Sequence, residues 1–246
     1  MILAGRFVIV APGMDSDSSE ILPLPHGPAR IEWRRSARAR RVSLRIDPRE
    51  GAVVVTLPPR AGRKAGMALL MDHAAWVSAR LAELPGAVAF RDGARVPLHG
   101  REVTIRHVAS ARGTVWAEGD WLLVAGSAEF LSRRVADFFR AEARRSFLAL
   151  AQAKAAAAEL RFRRLTVKDT RSRWGSCASN GNLAFSWRLV MAPPFVQDYV
   201  ASHEVAHLRH MHHGPRFWAL VDQLTPHTAA AVEWLRGEGP RLLRVG

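Results

Sequence analysis

The chain has 246 residues, 48% of them hydrophobic and 24% charged, values ordinary for a globular protein large enough to bury a core without covalent staples. Its charge is not ordinary: 36 Lys and Arg against 22 Asp and Glu give a formal net charge of +14, carried almost wholly by Arg. Such a surface favours polyanions such as nucleic acid or nucleotides, although Arg used simply as a solvated surface residue gives the same count. The single cysteine, Cys177, excludes an intramolecular disulfide framework and a multi-cysteine metal cluster, and fits a reducing, cytoplasmic setting. No apolar run approaches the ~18–20 residues that a membrane-spanning helix needs, so no membrane partner is expected.

Met1–Val10 reads as a short extension or strand, its apolar run being too short and interrupted by Arg6 for a signal peptide. Residues 11–30, rich in Ser, Asp, Pro and Gly, read as a loop. Val42, Leu44 and Ile46 alternate with Arg41, Ser43 and Arg45, the period of a half-buried strand, and a turn through Asp47, Pro48 and Gly51 leads to a second strand over Val53–Leu57. One helical pattern runs through Met67, Leu70, Met71, Ala74, Ala75 and Leu81, and short strands follow around Val103–Arg106 and Trp121–Val124. A long helix is predicted from Ser127 to Glu159, on the spacing of Leu131, Val135 and Phe138 and an alanine-rich stretch. Two strands, Leu165–Lys168 and Asn182–Trp187, are joined through the turn residues Ser179-Asn180-Gly181. Pro193-Pro194 opens the next helix, Gly214-Pro215 breaks it, a short helix holds Phe217, Trp218 and Val221, and Thr225-Pro226 opens a last one ending near Gly237. The expected fold class is α+β.

His203-Glu204-Val205-Ala206-His207 has the H-E-x-x-H spacing. Two His four apart on a helix project from one face, one turn apart, so both imidazoles reach one Zn²⁺ ion. Glu204 beside the first His is then placed to take a proton from the metal's water. By residue frequencies the pattern arises in roughly one chain of this length in a hundred, so its setting decides. Here it lies inside a predicted helix, and five of the ten His fall between His203 and His213. A catalytic zinc takes a third protein ligand, for which His210, His212 and His213 compete. His210 lies about 10 Å along the helix axis from His203 at ~1.5 Å per residue, so a straight helix cannot bring it to the same ion. His213, just before Gly214-Pro215 where the chain can fold back, is better placed, and His210 and His212 are read as outer or surface residues. Asp222, His227 and Glu233 are weaker candidates.

Arg173-Trp174-Gly175-Ser176-Cys177, Gly181-Asn182-Leu183, Trp187-Arg188-Leu189, Ala192-Pro193-Pro194, the H-E-x-x-H and Phe217-Trp218 together resemble the YgjP-like family of metal-dependent hydrolases, related to SprT-like and other small zincin peptidases. Arg34-Arg35-Ser36, Arg40 to Arg45 and Pro58-Pro59-Arg60 resemble its N-terminal half, so the likeness spans roughly residues 30 to 225. The resemblance implies a C-terminal zincin-like domain, a small mixed sheet plus an active-site helix, with His203, His207 and His213 holding one Zn²⁺ and Glu204 as base. His210 stands where the related metzincins have a glycine to turn the chain. The expected organisation is an N-terminal extension (1–30), a β-rich subdomain (31–126) and a metallohydrolase domain (127–246) that begins with the long helix.

The expected function is a zinc-dependent metallopeptidase acting on a peptide or protein. The alternatives are a hydrolase of nucleotide phosphoanhydrides and a DNA-associated zincin that binds nucleic acid through its Arg surface. The strand at Asn182–Trp187 is a candidate edge for an extended peptide. Arg173 and Arg188 are candidates to steady an oxyanion, with packing or solvation as the bland reading. Cys177 reads as a small buried thiol rather than a ligand. Seven Arg and one acid, Asp47, in Arg34–Arg49 form either a polyanion-binding stripe or a solvated sheet face. Oligomeric state is not legible.

Overall fold

The computed structural model describes residues 18–25, 27–111, 113–170 and 173–246; Met1–Val10, and with it the expected extension or strand, lies outside them. The described chain is a mixed α+β molecule with three small sheets and seven α-helices. It divides into two compact units, the first ending at Glu83 and the second running from Leu84 to Gly246.

The first unit is a sheet of β1 (Ser18–Leu24), β2 (Gly27–Arg35), β3 (Ser43–Asp47) and β4 (Ala52–Leu57) in the order β1-β2-β4-β3. The hairpin read from residues 42–57 is present, with β3 antiparallel to β4. The loop expected over residues 11–30 is a correction: Ser18–Leu24 and the start of β2 form a second antiparallel pair, closing at Leu24 opposite Gly27. Their prolines, Pro23 and Pro28, face each other next to the turn, and β1 is an edge strand, where a missing N–H is tolerated. Pairing supplied by β4, to which β2 runs parallel, overrides a turn-like composition. The single helical run expected to Leu81 is two helices, α1 (Arg63–Asp72) and α2 (Ala74–Ala82), separated at His73. Both lay apolar residues on the sheet: Leu70, Ala74 and Val77 are buried with Ile31, Trp33, Val53, Val55 and Leu57 in one core.

The second unit holds β5 (Arg95–Leu98), β6 (Arg101–Val108), β7 (Val115–Glu118) and β8 (Trp121–Ala125) in the order β5-β6-β8-β7. These strands, placed with the N-terminal half in the sequence reading, fall in this unit because they share a core with α3 (Leu131–Ala157). Along α3, Leu131, Val135, Phe139, Ala143, Phe147, Ala151 and Ala155 recur every fourth residue and are all buried. Phe139 stacks on Phe90 at 5.5 Å, and about two turns on Phe147 stacks on Phe185 at 4.6 Å. The helix thus serves both sheets of the unit. The second of these orders β9 (Arg164–Lys168), β10 (Gly175–Cys177) and β11 (Asn182–Ser186) as β10-β11-β9, and a 3-10 turn over Trp187–Met191 leads to α4 (Pro194–Ala206). Last come α5 (Pro215–Leu224), α6 (Thr228–Gly237) and α7 (Gly239–Leu242).

The start of α4 is fixed by a buried polar network. His99 and Gly100, with φ of 51° and 78°, make the two-residue turn between β5 and β6. A Cβ on Gly100 would meet Pro193 Cα at 2.8 Å, so only glycine lets the turn close on the helix start. Gln197 donates to Ala192 O at 2.7 Å and meets His99 Nδ1 at 3.2 Å, while His99 Nε2 reaches Glu142 of α3 at 2.8 Å. With Gln197 donating to Nδ1, the His99 proton sits on Nε2 and points at the carboxylate. Burial pushes Glu142 up, but hydrogen bonds from His99 and Arg145 outweigh it and hold the group below its ordinary range. Further along, Lys154 of α3 bonds both Asp198 of α4 at 2.6 Å and Leu224 O at the end of α5 at 2.7 Å.

Gly66 tests the packing of the first unit. A Cβ there would lie 2.6 Å from the Trp33 ring and 2.9 Å from Leu57. Ala gains about 1 kcal/mol over Gly in a helix interior, whereas overpacking costs about 1–3 kcal/mol. Gly66→Ala is therefore expected to lower stability despite its better propensity; a denaturant midpoint above that of the wild type would refute this contact.

Candidate metal centre

α4 begins at Pro194, whose fixed φ and missing N–H suit a first turn, and runs to Ala206 with His207 as its C-cap. Val196, Val200, Ala201, Val205 and Ala206 are buried in the core, which turns His203 and His207 to the other side. The helix then tightens: the N–H groups of Leu208 and Arg209 bond carbonyls three residues back, at 3.0 and 3.1 Å. His210 needs no left-handed conformation, since His99 and Glu159 are the non-glycine residues with positive φ among those described.

The reversed chain delivers His213. Ligand nitrogens of His203, His207 and His213 all lie within 4.8 Å of one another. His213 Nε2 stands 3.2 Å from His203 Nε2. Ligands on a tetrahedral Zn²⁺ at about 2.0–2.1 Å are separated by about 3.3 Å, so the spacing suits such an ion. His207 Nδ1 donates to the carbonyl of His210 at 3.0 Å, which leaves Nε2 with the lone pair, the tautomer that a ligand requires. His210 thus takes part through its backbone. Its ring, and those of His212 and His227, stand outside the group, as do Asp222, which accepts from Thr228 at 3.1 Å, and the exposed Glu233.

Burial holds the His203 ring down at about 4, helped by its neighbours His207 and His213. Burial likewise lowers His207, against the raising bond to the His210 carbonyl. Both imidazoles are therefore neutral near pH 7, with lone pairs free for a cation. Under them lies Phe217 of α5, fully buried, its ring 4.9, 4.5 and 4.7 Å from those of His203, His207 and His213. Trp218, partly exposed, lies nearly parallel to His213 at 5.8 Å. Sequence reading placed Phe217 and Trp218 on a short helix and within a resemblance, without a role at the site; the spacing of His213 to Phe217, one turn into a helix opened by Gly214-Pro215, is the signal that places an aromatic floor there.

Glu204 is buried, and its Oε2 has no hydrogen-bonding partner among the described residues. Its carboxyl leans on β10, where a Cβ on Gly175 would come within 2.5 Å of Oε1 and 2.8 Å of Cδ. Burial pushes Glu204 up to about 8, partly opposed by the Arg173 guanidinium. The carboxylate in turn adds to burial in raising Tyr199 and in lifting Cys177 to about 11, so that thiol stays protonated and outside the imidazole group. Sequence reading quoted Gly175 only within a resemblance, without this role, and Tyr199 escaped it. Arg173 lies exposed beside the carboxylate, whereas Arg188 is fully buried, paired with Asp169, bonded to Val245 O and set over the Trp187 ring at 4.2 Å. The oxyanion role considered for Arg188 is thereby excluded. The expected edge strand is also corrected: β11 is central, parallel to β9 on one side and antiparallel to β10 on the other. Among the described residues the strand with one side unpaired next to Glu204 is β10.

Three convergent imidazoles beside a buried carboxylate are the donor set of a metal-dependent hydrolase. The YgjP-like metallopeptidase domain matches residues 40–238, and the chain belongs to the YgjP-like family. No curated protein and no solved structure matches it significantly.

Two outcomes test this geometry. Gly175→Ala leaves the imidazoles untouched but displaces the flexible end of Glu204, so metal content is expected to hold while hydrolysis falls about 100-fold, the scale of a lost general base; full activity would refute the contact. In metal-free protein Glu204 ionises near pH 8 folded and near 4.5 unfolded. Its ionisation therefore costs the fold an amount that grows with pH across that window and is constant above it. Metal-free Glu204→Gln should melt above metal-free wild type, by more at pH 8 than at pH 5, and a pH-independent difference would exclude a buried acid.

Proposed function

We propose that the protein is a zinc-dependent metallopeptidase in which His203, His207 and His213 hold one Zn²⁺ and Glu204 is the general base. The observation that carries this is the placement of Glu204, one residue from a member of the imidazole group, buried, unpartnered at Oε2 among the described residues and confined by Gly175. Imidazole donors in a three-nitrogen set favour zinc over harder cations, and a bound Zn²⁺ supplies Lewis acidity toward both a carbonyl oxygen and a water. Glu204 takes the proton from the attacking water and returns it to the departing amine nitrogen. Its raised pKa suits that exchange, because a base near the working pH both accepts and releases a proton. The unpaired side of β10 offers main-chain groups to an extended peptide next to the carboxylate.

Arg173 favours a second reading. A cation exposed beside Glu204 suits a substrate with an anionic group, which points to a nucleotide phosphoanhydride cleaved by the same base. The test is a side-by-side screen of zinc-loaded wild type and Glu204→Gln on unfolded protein and on nucleoside triphosphates. Glu204→Gln is expected to keep its zinc and to lose peptide hydrolysis by about 100-fold or more. Loss confined to phosphate or pyrophosphate release would establish the second reading, and undiminished activity on both substrates would remove Glu204 as the base.

A further inference from the structure

The cations of the first unit are segregated. Three segments meet at one end of its sheet: the connection 36–42, which crosses the end of β4 on its way from β2 to β3, the loop 58–62 that follows β4, and the start of α1. Arg35 locks the two loops together, its Nη1 donating to Pro59 O at 2.8 Å and to Pro58 O and Ala61 O at 3.3 Å, and Ser36 N bonds Leu57 O at 2.9 Å. On this end stand Arg38, Arg40, Arg41, Arg60 and Lys64, all exposed, and among the described residues none has a carboxylate partner. No Asp or Glu occurs in residues 33–46 or 51–71.

Elsewhere in the unit several cations are matched. Arg30 pairs with Glu32 and Glu50, Arg45 with Asp47, Arg49 with Glu50, and Arg80 with Glu83. The one acid toward the basic end, Glu20, is taken by Arg63 and by Trp33 Nε1. Helix polarity adds to the asymmetry. α1 turns its positive N-terminus to the cationic end, with Arg63 and Lys64 in its first turn and no acid there, while Asp72 lies at its far end. Solvated surface Arg has no reason to collect where the helix dipole repels it, so the arrangement calls for an external anion.

We propose that this end of the first unit binds the phosphate backbone of nucleic acid without reading sequence. Four of the five cations are Arg, whose planar fork matches phosphate oxygens in pairs. Small residues between them, Ala37, Ala39, Ala61 and Gly62, let a backbone approach closely. Of the exposed large apolar side chains of the unit, Ile21 and Trp76 lie on β1 and α2 and Met71 at the far end of α1, so nothing at this end is built to enter a membrane.

The experiment is fluorescence anisotropy of a labelled 20-mer DNA with the full chain from 50 to 200 mM salt. Each phosphate neutralised contributes about 0.7–0.9 to the slope of log Kd against log salt, so five contacts give a slope of about 4. Replacing Arg38, Arg40 and Arg41 by Gln should weaken binding at least 10-fold at 100 mM salt and reduce the slope by about 2. Replacing the paired Arg30, Arg49 and Arg80 by Gln makes the same charge change and should leave Kd within 3-fold. Glu204→Gln should bind as the wild type does, which keeps this proposal separate from the hydrolase reading. Equal weakening by both triple variants, absence of binding at 50 mM salt, or displacement by poly-glutamate as effective as by unlabelled DNA of equal charge would each overturn it.

Discussion

Five residues separate His207 from His213, and in that length the chain must leave α4, reverse and set a third ring nitrogen within 4.8 Å of the first two. A helix that simply continued would carry those residues away at about 1.5 Å each. The reversal depends on bonds that the site itself makes: the tightened last turn, and the His207 ring donating to the carbonyl of His210. One hydrogen bond therefore does two tasks, closing the turn and fixing the tautomer. Phe217 then holds the three rings by packing, since it belongs to the helix that starts directly after the reversal.

Glu204 shows the opposite economy. Its position on α4 is dictated by the helix, but its carboxyl is confined by a strand, and β10 approaches closely enough only because residue 175 lacks a side chain. Burial without a partner would be a cost in a purely structural residue. At this place it keeps the proton affinity high and leaves an oxygen free to meet a reactant.

Much of this was legible in the amino-acid order, because its signals are local. Helical spacing placed His203, Glu204 and His207 on one helix, the Gly-Pro break put the return at His213, and the spacing of Leu131, Val135 and Phe138 with an alanine-rich stretch marked the long helix. What escaped was non-local. β1 and the start of β2 have loop-like composition and become strands through pairing with each other and with β4. β11 has the pattern of any strand, and nothing in its own residues says that β10 covers the side left open for a substrate. Gly175 acts on Glu204, a residue far along the chain, and does so through shape alone, for which residue spacing carries no mark. Arg188, read as a candidate for chemistry, is spent on an ion pair inside the protein.

Lys154 draws these parts together mechanically. Its ammonium holds Asp198, in the second turn of α4, and the last carbonyl of α5, so the two helices that flank the histidine reversal are fastened to one point on α3. Relative sliding of those helices, the motion that would pull His213 from its partners, is resisted at that rivet.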